Sequence, residues 1–206
     1  MKGLFITFEG IEGCGKSTQS KLLTEYLKKR GLEVLSTREP GGPKISEEIR
    51  EILLSNANDE MNARTEVLLY MASRSQHTAE WIIPALESGK VVISDRYYDS
   101  TLAYQGAARK IERNIIDTLT SFATFGLKPD LTFLVDLPAE VGLARIEEKN
   151  ADRLERESLD FHKEVRAGFL EIAEKEKDRY VILDGAMSVN EIHREIINKI
   201  DEKIRN

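Results

Sequence analysis

The chain has one cysteine, Cys14, among 206 residues, so it cannot close an internal disulfide, and a reducing cytoplasm is the compartment to expect. It has no apolar run near the roughly 20 residues that a membrane helix needs, because charged or polar residues interrupt every hydrophobic stretch within several positions. The amino terminus lacks the charged, apolar and cleavage regions of a secretory leader. Basic charge is not in excess: 30 Lys and Arg stand against 36 Asp and Glu, net −6, which argues against a surface built to coat a nucleic-acid polymer. Any nucleotide bound should be small and locally held. Internal repeats, low-complexity tracts and linkers are missing as well. Residues 1–206 are therefore expected to form one domain, long enough to bury a core unaided.

What is present alternates between two periods. Short strand-like runs fall at residues 4–9, 33–38, 91–95, 131–137 and 180–184, and helical patterns fill the gaps. Leu22, Leu23, Tyr26 and Leu27 share a helix face, with Gly31 as a stop. Residues 62–86 read as one long helix, with Pro84 predicting a kink and Gly89 a terminator. Phe161, Val165, Phe169 and Ile172 line another helix, and Ile192, Ile196, Ile200 and Ile204 stripe the last. Strands joined through helices imply an α/β fold: a five-stranded parallel sheet with helices on both faces, in three layers, binding ligands at the carboxyl ends of its strands.

Between the first strand and first helix stands Gly10-Ile11-Glu12-Gly13-Cys14-Gly15-Lys16-Ser17, followed by Thr18, which fits G-x-x-x-x-G-K-[ST] in its proper context. Glycines there let backbone N–H groups turn inward around phosphate oxygens, and the helix beginning near Lys16 adds its positive end. Lys16 is expected to reach the β and γ phosphates of a nucleoside triphosphate, and the Ser17 hydroxyl to ligate Mg²⁺. The plainer alternative is a glycine turn that only connects strand to helix. Phosphate loops also serve switches, motors and transporters, so a second segment must choose. Asp95-Arg96-Tyr97 closes the strand at 91–95, where such a sheet places its chemistry: Asp95 to organise the metal or its waters, Arg96 to clamp a phosphate. The plainer alternative for Arg96, taken alone, is a surface ion pair at a strand end. Asn198-Lys199-Ile200-Asp201 spells a guanine-reading tetrapeptide, but the isoleucines around it embed it in the terminal helix, which excludes a GTP switch.

These segments resemble the thymidylate kinase family, which phosphorylates dTMP with ATP. The resemblance runs from Phe8-Glu9-Gly10 through Thr18, across Thr37-Arg38-Glu39-Pro40-Gly41-Gly42 and Leu69-Tyr70-Met71-Ala72-Ser73-Arg74-Ser75-Gln76-His77, then Asp95-Arg96-Tyr97-Tyr98-Asp99-Ser100-Thr101-Leu102-Ala103-Tyr104-Gln105-Gly106 and Asp152-Arg153-Leu154-Glu155. It implies a P-loop NTPase-type fold, Mg²⁺ as cofactor, ATP and dTMP as small-molecule partners, no membrane, and a homodimer formed through helices. It implies that Tyr70 stacks on thymine, with Arg74, four residues on, donating to a base carbonyl; Tyr stands where Phe is more usual. Thr101 and Gln105 would contact the base edge and sugar, and Tyr104 would crowd the ribose 2′ position. Glu12 resembles the carboxylate that meets the acceptor 3′-hydroxyl or the metal shell, while Arg38 and Arg50 are candidates for the acceptor phosphate. Pro43 replaces a more usual Thr after Gly42.

Gly13 stands where some members carry arginine; members without it use a lid arginine. The resemblance is to that second, bacterial type, with a lid near residues 147–157, Arg153 at the transferred phosphate and Arg156 in reserve. Arg145 and the turn at residues 184–187 would flank adenine. A deoxynucleoside kinase shares the phosphate loop and acid–arginine pair but needs a base to deprotonate a sugar hydroxyl, whereas dTMP already carries its phosphate nucleophile.

Overall fold

The runs Phe5-Ile6-Thr7-Phe8, Val91-Val92-Ile93 and Leu131-Thr132-Phe133-Leu134-Val135 do not alternate apolar with polar, so strands made from them must be covered on both faces. A computed structural model, describing residues 3–146 and 151–205, shows this. Strands β1 (Leu4–Glu9), β2 (Val34–Arg38), β3 (Val91–Asp95), β4 (Leu131–Asp136) and β5 (Tyr180–Asp184) form one sheet in the order β2-β3-β1-β4-β5, every pair parallel. The three central strands are buried almost throughout, while the edges β2 and β5 are partly exposed.

The connections are helical: α1 (Lys16–Lys29), α2 (Lys44–Leu54), α3 (Ala63–His77), α4 (Ile83–Glu87), α5 (Tyr98–Thr101), α6 (Arg113–Ala123), α7 (Ala139–Leu143), α8 (Leu159–Lys175) and α9 (Val189–Arg205). The helical backbone expected at 62–86 is continuous from Ala63 to Glu87, but its register changes: a π-helical turn, Thr78–Ile82, stands immediately before the segment that carries Pro84. A second π-helical stretch, Leu102–Ala108, extends α5 and carries Tyr104 and Gln105. Pro43 caps α2 by accepting from the Glu47 amide (2.9 Å), and Glu47 Oε1 accepts in return from Gly42 N (2.6 Å), so the turn after β2 closes without threonine. In α9, Ile192, Ile196 and Ile200 are buried and Ile204 is exposed. Asp201 of the tetrapeptide accepts from Tyr26 (3.1 Å) and pairs with Arg30 at the carboxyl cap of α1, which leaves it no part in reading a base.

Register places the site. Phe8 of β1 and Arg38 of β2 both lie opposite Asp95 of β3. The phosphate loop, the Glu39-Pro40-Gly41-Gly42 turn and Asp95-Arg96-Tyr97 therefore leave the sheet side by side at one level. Of the expected lid, residues 147–150 lie outside the described residues; 151–157 fold against the mouth of the same cleft.

Candidate active site

The phosphate loop turns on Gly10, Gly13 and Gly15, with φ of 139°, 68° and 101°. Gly13 is required twice over. A Cβ there would lie 2.1 Å from the Gly142 carbonyl oxygen, so the position at which some relatives carry arginine is closed to any side chain. Lys16 is buried, and its Nζ donates to the Ile11 carbonyl at 3.2 Å, folded over the loop it would share with phosphates. The Ser17 hydroxyl donates to Asp95 Oδ2. Asp95 Oδ1 is buried with no hydrogen-bond partner among the described residues, a free hard oxygen beside a hydroxyl. That pair suits Mg²⁺, which takes few protein oxygens and keeps several waters.

Arg96 follows at φ 73°, left-handed backbone that is uncommon for a residue with a side chain. Its amide donates to Phe8 O (2.9 Å) and its carbonyl accepts from Ser94 Oγ (2.7 Å). Nη1 donates to Gly10 O and Ser100 Oγ, both at 3.0 Å; Nη2 donates to Glu12 Oε1 (2.8 Å) and Tyr104 Oη (3.0 Å). The Tyr104 hydroxyl donates to the same Glu12 oxygen at 2.5 Å. Burial alone would raise the Glu12 pKa, but the Arg96 guanidinium, a contact with His162 and the Lys16 charge hold it well below the usual carboxylate range. Beneath this pair lies Glu9, accepting from Tyr97 N (2.7 Å) and Ser100 Oγ (2.6 Å). Burial, with the nearby Asp99 charge, pushes Glu9 up to about 8, against the pull of Arg96.

A cleft of ≈ 300 Å³ is lined by Glu12, Lys16, Ser17, Asp95 and Arg96, by Arg38, Arg50 and Tyr70, and by Thr101, Tyr104 and Gln105. Arg50 donates to Pro40 O (2.7 Å), and burial together with the charge of Arg38 depresses its pKa. Arg38 Nη2 donates to Glu47 Oε2 at 2.9 Å, and both guanidiniums line the cleft, where they can serve an anion. Arg74 is the exception. It lies behind the cleft wall, fully buried, with Nε on Glu39 Oε2 (2.7 Å), Nη1 on Thr101 Oγ1 (3.0 Å) and Nη2 on Tyr97 O (3.2 Å). Glu39 also meets His77 Nδ1 (3.0 Å), whose Nε2 lies 2.8 Å from Thr37 Oγ1. The turn after β2 is thereby fastened to the helix that carries Tyr70.

The lid segment also departs from expectation. Asp152 Oδ1 accepts from the Leu154 and Glu155 amides (2.9 and 3.0 Å), and Glu155 Oε2 accepts from Asp152 N (2.9 Å). This self-capped turn brings Asp152, Leu154 and Glu155 to the cleft. It buries Arg153 on the other side, with Nε on Leu53 O (3.0 Å) and Nη2 paired with Glu66 at 2.6 Å. Arg156 donates to Ala151 O (3.1 Å), outside the cleft lining. Arg145 reaches the loop from α7's end, donating to Gly13 O (3.1 Å).

A family model described as thymidylate kinase matches residues 8–196. The chain is 50% identical over 201 residues to the thymidylate kinase of Sulfurihydrogenibium sp. (strain YO3AOP1), covering 98% of each chain. It is 50% identical over 204 residues to that of Halothermothrix orenii, covering 97% of each. The crystal structure of thymidylate kinase from Ehrlichia chaffeensis superposes with a TM-score of 0.78 at 34% identity, over 97% of this chain and 99% of that one. The chain belongs to the thymidylate kinase family.

Membership makes it a nucleoside monophosphate kinase with a P-loop NTPase-type fold. Within that site, sequence reasoning assigned nothing to Glu9, Glu39, Glu66 or His162. Glu9 was detectable as the one carboxylate in an otherwise buried strand. His162 shares a helix face with Val165 and Phe169, a polar ring on an apolar stripe.

The raised Glu9 pKa yields a pH prediction. The native state keeps a proton on Glu9 that the unfolded chain releases near 4.5, so stability from this group is complete below 4.5 and is lost as pH rises through about 8. Urea unfolding between pH 5 and pH 9 should show this decline, and Glu9→Gln, neutral throughout, should flatten it. An equally steep decline in the variant would place the titration elsewhere.

Proposed function

We propose that the chain transfers the γ-phosphoryl group of ATP, with Mg²⁺, to dTMP and forms dTDP. The observation that carries this reading is one cleft lined both by the phosphate-loop residues Glu12, Gly13, Lys16 and Ser17 and by Arg38, Arg50 and Tyr70, as two phosphate-bearing substrates meeting in one site require. The names of the relatives supply the acceptor's identity. Gly10, Ile11, Glu12, Gly13, Cys14, Gly15, Lys16, Ser17 and Thr18 cradle ATP, with Arg145 beside the loop. Ser17 and Asp95 hold Mg²⁺, which when bound neutralises phosphate charge and fixes its orientation. Phosphoryl transfer asks for alignment and positive charge, and Arg96 lies where donor and acceptor phosphates would adjoin.

Tyr70 covers the base, Thr101 and Gln105 address its edge, and Tyr104 stands against a 2′-hydroxyl. Arg74 acts through Thr101 and Glu39. Arg38 and Arg50 serve an acceptor phosphate, which thymidine lacks, and this favours a nucleotide over a nucleoside acceptor. With Mg-ATP, dTMP should outrun dUMP, thymidine, AMP, CMP and UMP in kcat/KM. A clear preference for AMP or thymidine would remove the assignment.

Arg153 is proposed as the lid arginine that leaves Glu66 and joins the transferred phosphate when both substrates are bound. Arg153→Ala should lower kcat on the order of a hundredfold, with a much smaller change in dTMP KM. A thermal melt controls for the lost Leu53 and Glu66 contacts. A change confined to KM would place Arg153 outside the transition state.

The chain is proposed to work as one kinase unit in a reducing cytoplasm, which the free, buried Cys14 suits; among the described residues no helix is long and apolar enough to cross a membrane. A homodimer is proposed through α3 and its neighbour α6, which leave Leu68, Ile115 and Phe122 in solvent at 55%, 45% and 81% exposure. Sedimentation at micromolar concentration should give a dimer, and the double substitution Leu68→Glu, Phe122→Glu a folded monomer. A monomeric wild type ends the idea.

A further inference from the structure

The Glu12 carboxylate is anchored unequally. Oε1 accepts from Arg96 Nη2 (2.8 Å) and Tyr104 Oη (2.5 Å), while Oε2 is buried without a hydrogen-bond partner among the described residues. At 3.4 Å from Oε2 lies Nδ1 of His162, a ring with no solvent exposure whose nitrogens both lack a hydrogen-bond partner among the described residues. A buried imidazole and a buried carboxylate oxygen each cost free energy when left unpaired, and here the two face one another. No phosphate-binding role accounts for a histidine at this depth.

His162 belongs to the first turn of α8, whose cap, Ser158, accepts from Phe161 N (3.2 Å). The Asp152–Glu155 turn lies immediately before it. α8 also packs on the π-helical stretch bearing Tyr104, with the Tyr104 ring edge-on to Phe161 (6.2 Å) and Phe169 (6.1 Å). Glu12 is thus approached by β3's end through Arg96, by the π-helical stretch through Tyr104 and by the lid-proximal helix through His162.

We propose that His162 is a positioning residue for Glu12: its Nδ1–H holds Oε2, fixes the carboxylate plane and so presents Glu12 to the acceptor's 3′-hydroxyl. Anchored through one oxygen only, a carboxylate swings about its Cγ–Cδ bond; held through both, it keeps one orientation, and a hydroxyl at the open edge meets a fixed acceptor. The inference rests on the reading of Glu12 as the acceptor-sugar contact, and the experiment separates the two.

The acceptors are dTMP and its 3′-deoxy analogue, with saturating Mg-ATP; the proteins are wild type, E12Q, H162F and H162N. H162F keeps the ring and removes the donor, while H162N returns an amide N–H near the position of Nδ1. If H162F does not fold, H162L replaces it. The expected result is that wild type prefers dTMP in kcat/KM, that E12Q and H162F lose about tenfold or more of that preference, as loss of a hydrogen bond to a charged group allows, and that H162N largely restores it. The KM for ATP should stay constant across the histidine variants. Full preference in H162F with loss in E12Q overturns the role of His162 and leaves that of Glu12 standing. Loss in H162F that H162N does not restore makes His162 a packing residue. Unchanged preference in E12Q, or none in wild type, removes the reading of Glu12 and the inference with it.

Discussion

The Arg96 guanidinium takes hydrogen bonds to Gly10 O, Ser100 Oγ, Glu12 Oε1 and Tyr104 Oη, and these acceptors come from the phosphate loop and from the segment after β3. Left-handed backbone at a residue with a side chain costs about 1–3 kcal/mol, whereas each hydrogen bond to a charged group is worth about 1.5–3 kcal/mol net. The contacts outweigh the strain several times over, so the unusual turn persists. Its consequence is geometric: Asp95 turns toward Ser17 while Arg96 turns back beneath the loop, so the charge proposed for phosphate stands beside the two oxygens proposed for the metal.

That arrangement needs charge balance below it. Glu9 and Asp99 lie fully buried under Arg96, and Asp99 is taken by Arg179 through two bonds of 2.7 and 2.8 Å. Arg179 is enclosed further by Thr132 (2.8 Å) and the rings of Tyr98 and Tyr180. With Arg96 claimed by Glu12 and Arg179 by Asp99, Glu9 has no cation of its own among the described residues. Keeping its proton is the cheapest solution, and as a neutral acid it still fastens Tyr97 and Ser100.

The sheet was legible because its central strands are unbroken apolar runs, a pattern that only two-sided burial satisfies. Phosphate-loop residues were legible because glycines and a lysine at fixed spacing have few other uses. The π-helical turns were not, since an extra residue in a helical turn leaves the 3.6-residue pattern nearly intact over so short a span. Arg74 and Arg153 were placed by resemblance on the cleft, and their present partners, Glu39 and Glu66, lie far from them in sequence. Nothing local in Ser73-Arg74-Ser75 tells which distant carboxylate will face the guanidinium. Gly13 illustrates the converse: sequence noted the missing arginine, and only the Gly142 carbonyl beside it explains why no side chain fits.

The pairing of Arg153 with Glu66 bears on the lid role proposed for Arg153. Separating a buried pair ordinarily costs about 3–5 kcal/mol, because one charge is left uncompensated. Glu66, however, also accepts from Gln105 Nε2 (2.9 Å) and from Arg109 Nε and Nη2 (3.3 and 3.2 Å), and Arg109 is itself shared with Glu157. The departure that the proposed role requires of Arg153 leaves Glu66 bonded and still ion-paired, so its cost falls well below that of breaking an isolated buried pair. In the proposed role, an incoming phosphate would have to compete with Leu53 O and with a carboxylate that keeps other partners. Glu66, Tyr70 and Arg74 are carried by one helix, α3, and Gln105 reaches both the cleft and Glu66. The element proposed to receive the acceptor base is therefore the element whose Glu66 pairs with the proposed lid arginine.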